Sequence, residues 1–187
     1  MTTETRWLMA LHEAAHLAVA LDLSPFATTC FAAVFDGGGL AHMPRGLHGF
    51  NHAVALAAGM TAARRLHREP IPERTPTDRP RPVEGVLDAR HAVHEVSLPA
   101  HGTTGSDGEK LARYAVDLAN NDANDAARRL RRVMAAARLA VWRNREHILA
   151  LARELFLNGS VIVDGDPEHE AFFAGGAVAA GATKQTG

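Results

Sequence analysis

The sequence predicts an α+β fold, mainly helical, with a small antiparallel β-hairpin or sheet. Three observations carry this. Apolar residues recur at three- and four-residue steps over several long stretches, which is the signature of amphipathic helices. Only Phe26–Phe35 is rich in Thr, Phe and Val in the manner of a strand. That strand runs into Asp36-Gly37-Gly38-Gly39, a turn signal, and Leu40–Met43 is then expected to return as a short second strand.

The elements follow in order. Trp7, Leu8, Leu11, Ala15, Ala18 and Val19 predict a first helix over Glu4–Leu21, ended by Ser24-Pro25. Pro44 and Gly46 close the strand pair. Asn51 is expected to cap a helix carrying Val54, Leu56, Ala57, Met60 and Leu66. Five prolines between Pro70 and Pro82 exclude a regular helix, so 69–83 reads as an inserted loop. A short helix over 84–95 and a loop over Leu98–Ser106 come next. Ser106 or Asp107 starts a helix to about Ala119, Asn120-Asn121-Asp122 breaks it, and one long helical stretch runs from about Asn124 to Phe156. Asn158-Gly159 is its C-cap pair. The expected layout is one domain over 1–174 and a disordered Gly/Ala-rich tail over 175–187.

Composition narrows the function classes. The chain has 187 residues, 47% of them hydrophobic, and a formal net charge of −1, which suits one soluble globular domain. That charge does not suggest a nucleic-acid surface. The basic residues are 18 Arg and 2 Lys. The single cysteine, Cys30, excludes an intrachain disulfide and fits a reducing compartment. No apolar run reaches the roughly 18 residues needed to cross a bilayer, and charged residues interrupt the N-terminal region where a signal peptide would lie. The expectation is a cytoplasmic protein with neither membrane nor nucleic-acid partners.

The strongest motif is His12-Glu13-Ala14-Ala15-His16, an H-E-x-x-H within the first predicted helix. Residues four apart on a helix project from one face, so His12 and His16 can offer two imidazole nitrogens to one tetrahedral Zn2+. Glu13 stands beside the first ligand, placed to take a proton from a water activated by the metal, as the catalytic base. In random order a chain of this composition would hold the motif about 0.04 times. Two surface histidines on an amphipathic helix are the ordinary alternative.

A catalytic zinc takes three protein ligands and keeps one position open. The candidates for the third are His42, His48, His52, His91, His94, Glu95, His101 and Asp107. Asp107 stands where a loop enters a helix, so its backbone is held by the first turn. Its ordinary role there is N-terminal capping. The strand Leu40, Ala41, His42, Met43 is short and glycine-flanked, which suits an edge strand that lends hydrogen bonds to an extended peptide substrate.

Four stretches resemble the proteolytic domain of the FtsH-type zinc peptidases, the AAA+-linked metalloproteases. Leu11-His12-Glu13-Ala14-Ala15-His16-Leu17-Ala18-Val19-Ala20 is similar to that family's H-E-A-G-H-A helix. Phe26–Arg45 is similar to its strand pair with a glycine-rich join. Leu56-Ala57-Ala58-Gly59-Met60-Thr61-Ala62-Ala63 resembles its x-x-G-R-x-A-E helix. Thr104-Gly105-Ser106-Asp107 resembles its T-G-x-x-x-D segment, and the helix through Arg143–Ala152 also has the family's look. The resemblance implies a mainly helical, zincin-like domain with a small antiparallel sheet. It also implies zinc held by His12, His16 and Asp107. Departures are Ala15 in place of Gly, Ala63-Arg64 in place of an acidic residue, a spacing before Asp107 two residues tighter, and the Pro-rich insertion. No G-x-x-x-x-G-K-[ST] is present.

The expected function is therefore a zinc metalloendopeptidase that hydrolyses peptides or unfolded proteins, ATP-independent by itself. Homo-oligomer formation is left open. A degenerate peptidase-fold binding module with structural zinc and a non-peptidase zinc hydrolase are the alternatives.

Overall fold

The computed structural model describes residues 1–24, 30–43, 47–73, 106–120 and 122–163. The expectations for 84–95, for most of the Pro-rich segment and for the 175–187 tail lie outside them. Helix α1 (Thr3–Leu23) is the centre of the fold. Thr2 caps it by accepting from the Thr5 N–H at 3.1 Å. From Ala10 to Ala20 every residue except His12 is buried, because α1 packs against the helices over 49–66 and 145–158 and one face of the sheet. Its outer end is fixed by Trp7, whose ring meets Phe156 edge-on with centroids 5.8 Å apart.

Strand β1 (Cys30–Phe35) is central in a three-stranded antiparallel sheet ordered β2-β1-β3. Cys30, Ala32 and Val34 are buried and alternate with more exposed neighbours, as period two requires. Strand β2 (Gly38–His42) pairs from Phe35↔Gly38 to Phe31↔His42. The turn is therefore Asp36-Gly37 alone, with Gly37 at φ +101° as a tight hairpin demands. Gly38 and Gly39 belong to the strand, not to the four-residue turn read from the sequence, and Met43 lies just past its end. Strand β3 (Ser160–Val163) runs along the other side of β1, from Cys30↔Val163 to Ala33↔Ser160. The sequence reading did not anticipate it.

Helix α2 (Gly49–Leu66) begins earlier than the Asn51 cap predicts. The His52 N–H already donates to the His48 carbonyl at 3.4 Å, so His48 is the N-cap residue. Helix α3 (Asp107–Leu118) starts with a capping box: Ser106 accepts from the Glu109 N–H and the Glu109 carboxylate accepts from the Ser106 N–H. The predicted single stretch from Asn124 to Phe156 is two helices, α4 (Ala123–Arg143) and α5 (Arg145–Asn158), which meet at Asn144. Asn144 is buried, and its side-chain amide donates to Asp22 of α1 and to the Ala140 carbonyl, each at 3.0 Å. That tertiary tie breaks the run, and periodicity alone cannot reveal it. Gly159 ends α5 in the left-handed conformation at φ +84°, as the Asn158-Gly159 pair predicts.

Among the described residues no helix is long and apolar enough to cross a membrane. The mainly helical α+β class with a small antiparallel sheet is the architecture observed.

Candidate metal centre

The middle of α1 carries His12, Glu13 and His16 into the interior. The two imidazoles lie one helical turn apart, nearly perpendicular, with ring centroids 4.6 Å and Nε2 atoms 3.0 Å from each other. Asp107, the first residue of α3, brings Oδ2 to 3.0 Å from His12 Nε2 and 2.9 Å from His16 Nε2. Among the described residues, His12, His16 and Asp107 form the one group of three arranged to hold a metal ion. The three atoms make a triangle with sides of 2.9–3.0 Å. Ligand atoms about 2.0 Å from a tetrahedral zinc are roughly 3.3 Å apart, so adjustments of a few tenths of an ångström suffice.

Hydrogen bonding adds a chemical test of fit. His16 Nδ1 lies 2.8 Å from the Ala55 carbonyl oxygen of α2. A carbonyl only accepts, so Nδ1 carries the proton and a neutral His16 has a bare lone pair at Nε2. That lone pair faces the Asp107 oxygen and the second imidazole. A proton on one Nε2 relieves one pair, whereas a divalent cation among the three atoms satisfies all of them together. An imidazole whose outer nitrogen is anchored by a carbonyl is the usual support for a metal ligand. The set fits zinc, and two histidines with one carboxylate also fit ferrous iron.

Asp107 is free to face α1 because Ser106 and Glu109 do the capping. The ordinary alternative for Asp107, the cap itself, is thus filled by its neighbour. Burial on its own would raise the Asp107 carboxyl. Hydrogen bonds and charge interactions with His12 and His16 outweigh that and hold it well below the usual carboxylate range. Its other oxygen, Oδ1, is 3.5 Å from Lys110 Nζ.

Glu13 behaves in the opposite way. It is 6% exposed and His16 4%, while His12 and Asp107 are half-buried and leave the centre open on their side. Burial pushes the Glu13 carboxyl up to about 7, with His12 and Lys110 opposing and Asp107 reinforcing the rise.

Two glycines that sequence reasoning did not single out as site residues make these approaches feasible. A Cβ on Gly59 of α2 would lie 2.5 Å from His16 Nε2 and 2.9 Å from His12 Nε2. A Cβ on Gly39 of β2 would lie 2.6 Å from both Cγ and Oε1 of Glu13. The available signals were a glycine inside an alanine-rich helix, costing about 1 kcal/mol against Ala, and a third glycine where the turn needs one.

Among the described residues the expected substrate strand sits at a sheet edge, with β1 on one side only. Gly39 faces α1, so by alternation Ala41 does too, while Leu40 and His42 occupy the outer face. His42 stacks on Phe31 at 5.3 Å there. His42, His48 and His52 are not gathered into the cluster of three. Burial lowers the pKa of His52, helped by the charges of Lys110, His48 and His16. His91, His94, Glu95 and His101 lie outside the described residues.

Comparison of the chain with protein-family models, with curated proteins and with solved structures gives no significant match.

Proposed function

We propose that this chain is a zinc-dependent endopeptidase that hydrolyses peptides or unfolded proteins and needs no ATP of its own. The observation that carries the reading is the convergence of His12 Nε2, His16 Nε2 and Asp107 Oδ2 beside a buried Glu13. His12, His16 and Asp107 would hold the ion. Bound there, zinc supplies a Lewis acid and lowers the pKa of water to about 7, which makes a nucleophile available at neutral pH.

The chain's own residues do the rest. Glu13, buried beside the three candidate ligands, takes the proton of the attacking water on a carboxylate oxygen and passes it to the leaving amine. Gly39 keeps the β2 backbone against Glu13, so a peptide added along that edge runs past the base with its backbone hydrogen-bonded in register. His16, pinned to the Ala55 carbonyl, keeps its ring oriented throughout. The H-E-x-x-H helix and the carboxylate ligand at a helix start also support the resemblance to FtsH-type peptidases.

Elemental analysis of the purified protein, paired with digestion of denatured casein, tests this. About one zinc per chain and cleavage that Glu13→Gln reduces at least about 100-fold, with the zinc retained, are expected. Iron instead of zinc, or zinc with no cleavage of any unfolded substrate, would overturn the peptidase reading.

A further inference from the structure

Lys110 is one of only two lysines in a chain with 18 arginines. It stands on α3 three residues after Asp107, half-buried, with Nζ 3.5 Å from Asp107 Oδ1. The same carboxylate turns Oδ2 to both imidazoles at 2.9–3.0 Å. One oxygen faces the cation and the other faces the two imidazoles.

Helix α4 provides an internal control. Asp125, in its first turn, is paired with arginines at the following third and fourth positions. Arg128 takes Oδ1 at 3.2 Å and Arg129 takes Oδ2 at 2.7 Å, so both oxygens are consumed. There two arginines, each taking one oxygen, leave none free. A guanidinium is a planar fork matched to both oxygens of a carboxylate, whereas an ammonium is a compact point charge.

We propose that Lys110 is a positioning residue of the metal centre, restraining the Asp107 carboxylate so that it presents a single oxygen to the ion. This rests on reading His12, His16 and Asp107 as a metal site. With Oδ1 held by the ammonium, Asp107 ligates through Oδ2 alone, and the fourth position stays available for water or substrate. Removing the cation frees the carboxylate to turn and ligate through both oxygens. Replacing it with a fork draws Oδ2 away from the ligand triangle.

Cobalt(II) is the probe, since its visible absorption reports coordination number directly. Metal-free wild type, Lys110→Met and Lys110→Arg would each be titrated with Co2+. Intense four-coordinate absorption is expected for wild type. Lys110→Met should still bind Co2+, with absorption per metal reduced by about half or more as coordination rises. Lys110→Arg should bind Co2+ about tenfold more weakly. Spectra and affinities that coincide across all three proteins would overturn the role of Lys110 and leave the metal site standing. A wild type that takes up no Co2+ would overturn the metal site and this inference with it.

Discussion

Helices α1 and α3 each bring a carboxylate to the candidate centre, and they hold it by opposite means. Glu13 sits in the most buried stretch of the molecule, where α1 is enclosed by α2, α5 and the sheet. Asp107 opens a 12-residue helix whose buried side chains are Leu111 and Ala115. A helix of that length is marginal by itself, so α3 depends on its capping box and a few contacts. Burial drives the Glu13 carboxyl up, and the two imidazoles drive the Asp107 carboxyl down. Glu13 is thus fixed by the core, while Asp107 hangs on the periphery. A metal ion would tie the peripheral helix to the core, and its binding energy would become part of the stability of α3.

The largest test of that contrast removes the peripheral carboxylate. Asp107→Ala should weaken zinc binding by more than about 100-fold. Hydrogen exchange should then speed up across α3 while α1 stays protected. Asp107→Asn should weaken binding less than Ala does. Because Ser106 is the cap, a near-normal zinc affinity in the Asn variant would break the assignment of Asp107 as a ligand.

The opposed pKa shifts give the next effect, measured on metal-free protein. Glu13 is raised when folded, so its contribution to stability is fully present below about 4.5 and is lost as pH rises through about 7. Asp107 is lowered, so its contribution is present above about 3.8 and is lost as pH falls below that. Between about pH 5 and 8 the Glu13 penalty develops, roughly 2–3 kcal/mol, while His52, whose pKa is lowered, contributes in the opposite sense in both proteins. Urea unfolding of Glu13→Gln should therefore lack a decline in stability that the wild type shows over that range. Parallel curves for the two proteins would mean that Glu13 is solvated.

Gly59→Ala sharpens the comparison from the core side. The new Cβ meets His16 Nε2 at 2.5 Å, and that ring cannot swing away because Ala55 holds it. Overpacking of this kind costs about 1–3 kcal/mol, partly offset by the better helix propensity of Ala. Zinc affinity should fall at least about tenfold with little change in helical content. An unchanged affinity would show that the α1–α2 approach is looser than the geometry indicates.

The smallest expected effect compares the two caps. Ser106→Ala should cost about 1 kcal/mol, felt at the centre as a zinc affinity about fivefold weaker. Thr2→Ala removes a similar bond from α1, far along the chain from its ligands, and should leave zinc affinity unchanged. Equal responses to the two substitutions would argue that α3 is no less anchored than α1.

What the sequence alone determined is the part whose geometry is local. The four-residue spacing of His12 and His16, the place of Glu13 between them, a turn beginning at Asp36 and the Gly159 helix end follow from helix and turn periodicity within a few residues. The start of a helix near Asp107 was legible for the same reason. Whether Asp107 or Ser106 served as the cap was not, because both are good caps and the choice depends on what else each side chain meets. Only the tertiary structure brings Asp107 to imidazoles more than 90 positions away. It also decides that Asn144 breaks a helical run by reaching Asp22, that Ser160–Val163 is a strand because it pairs along the side of β1 that β2 leaves open, and that Gly39 and Gly59 stand where a side chain would collide with the site. These depend on packing between segments distant in sequence, and no periodicity along the chain encodes a distance between two of its faces.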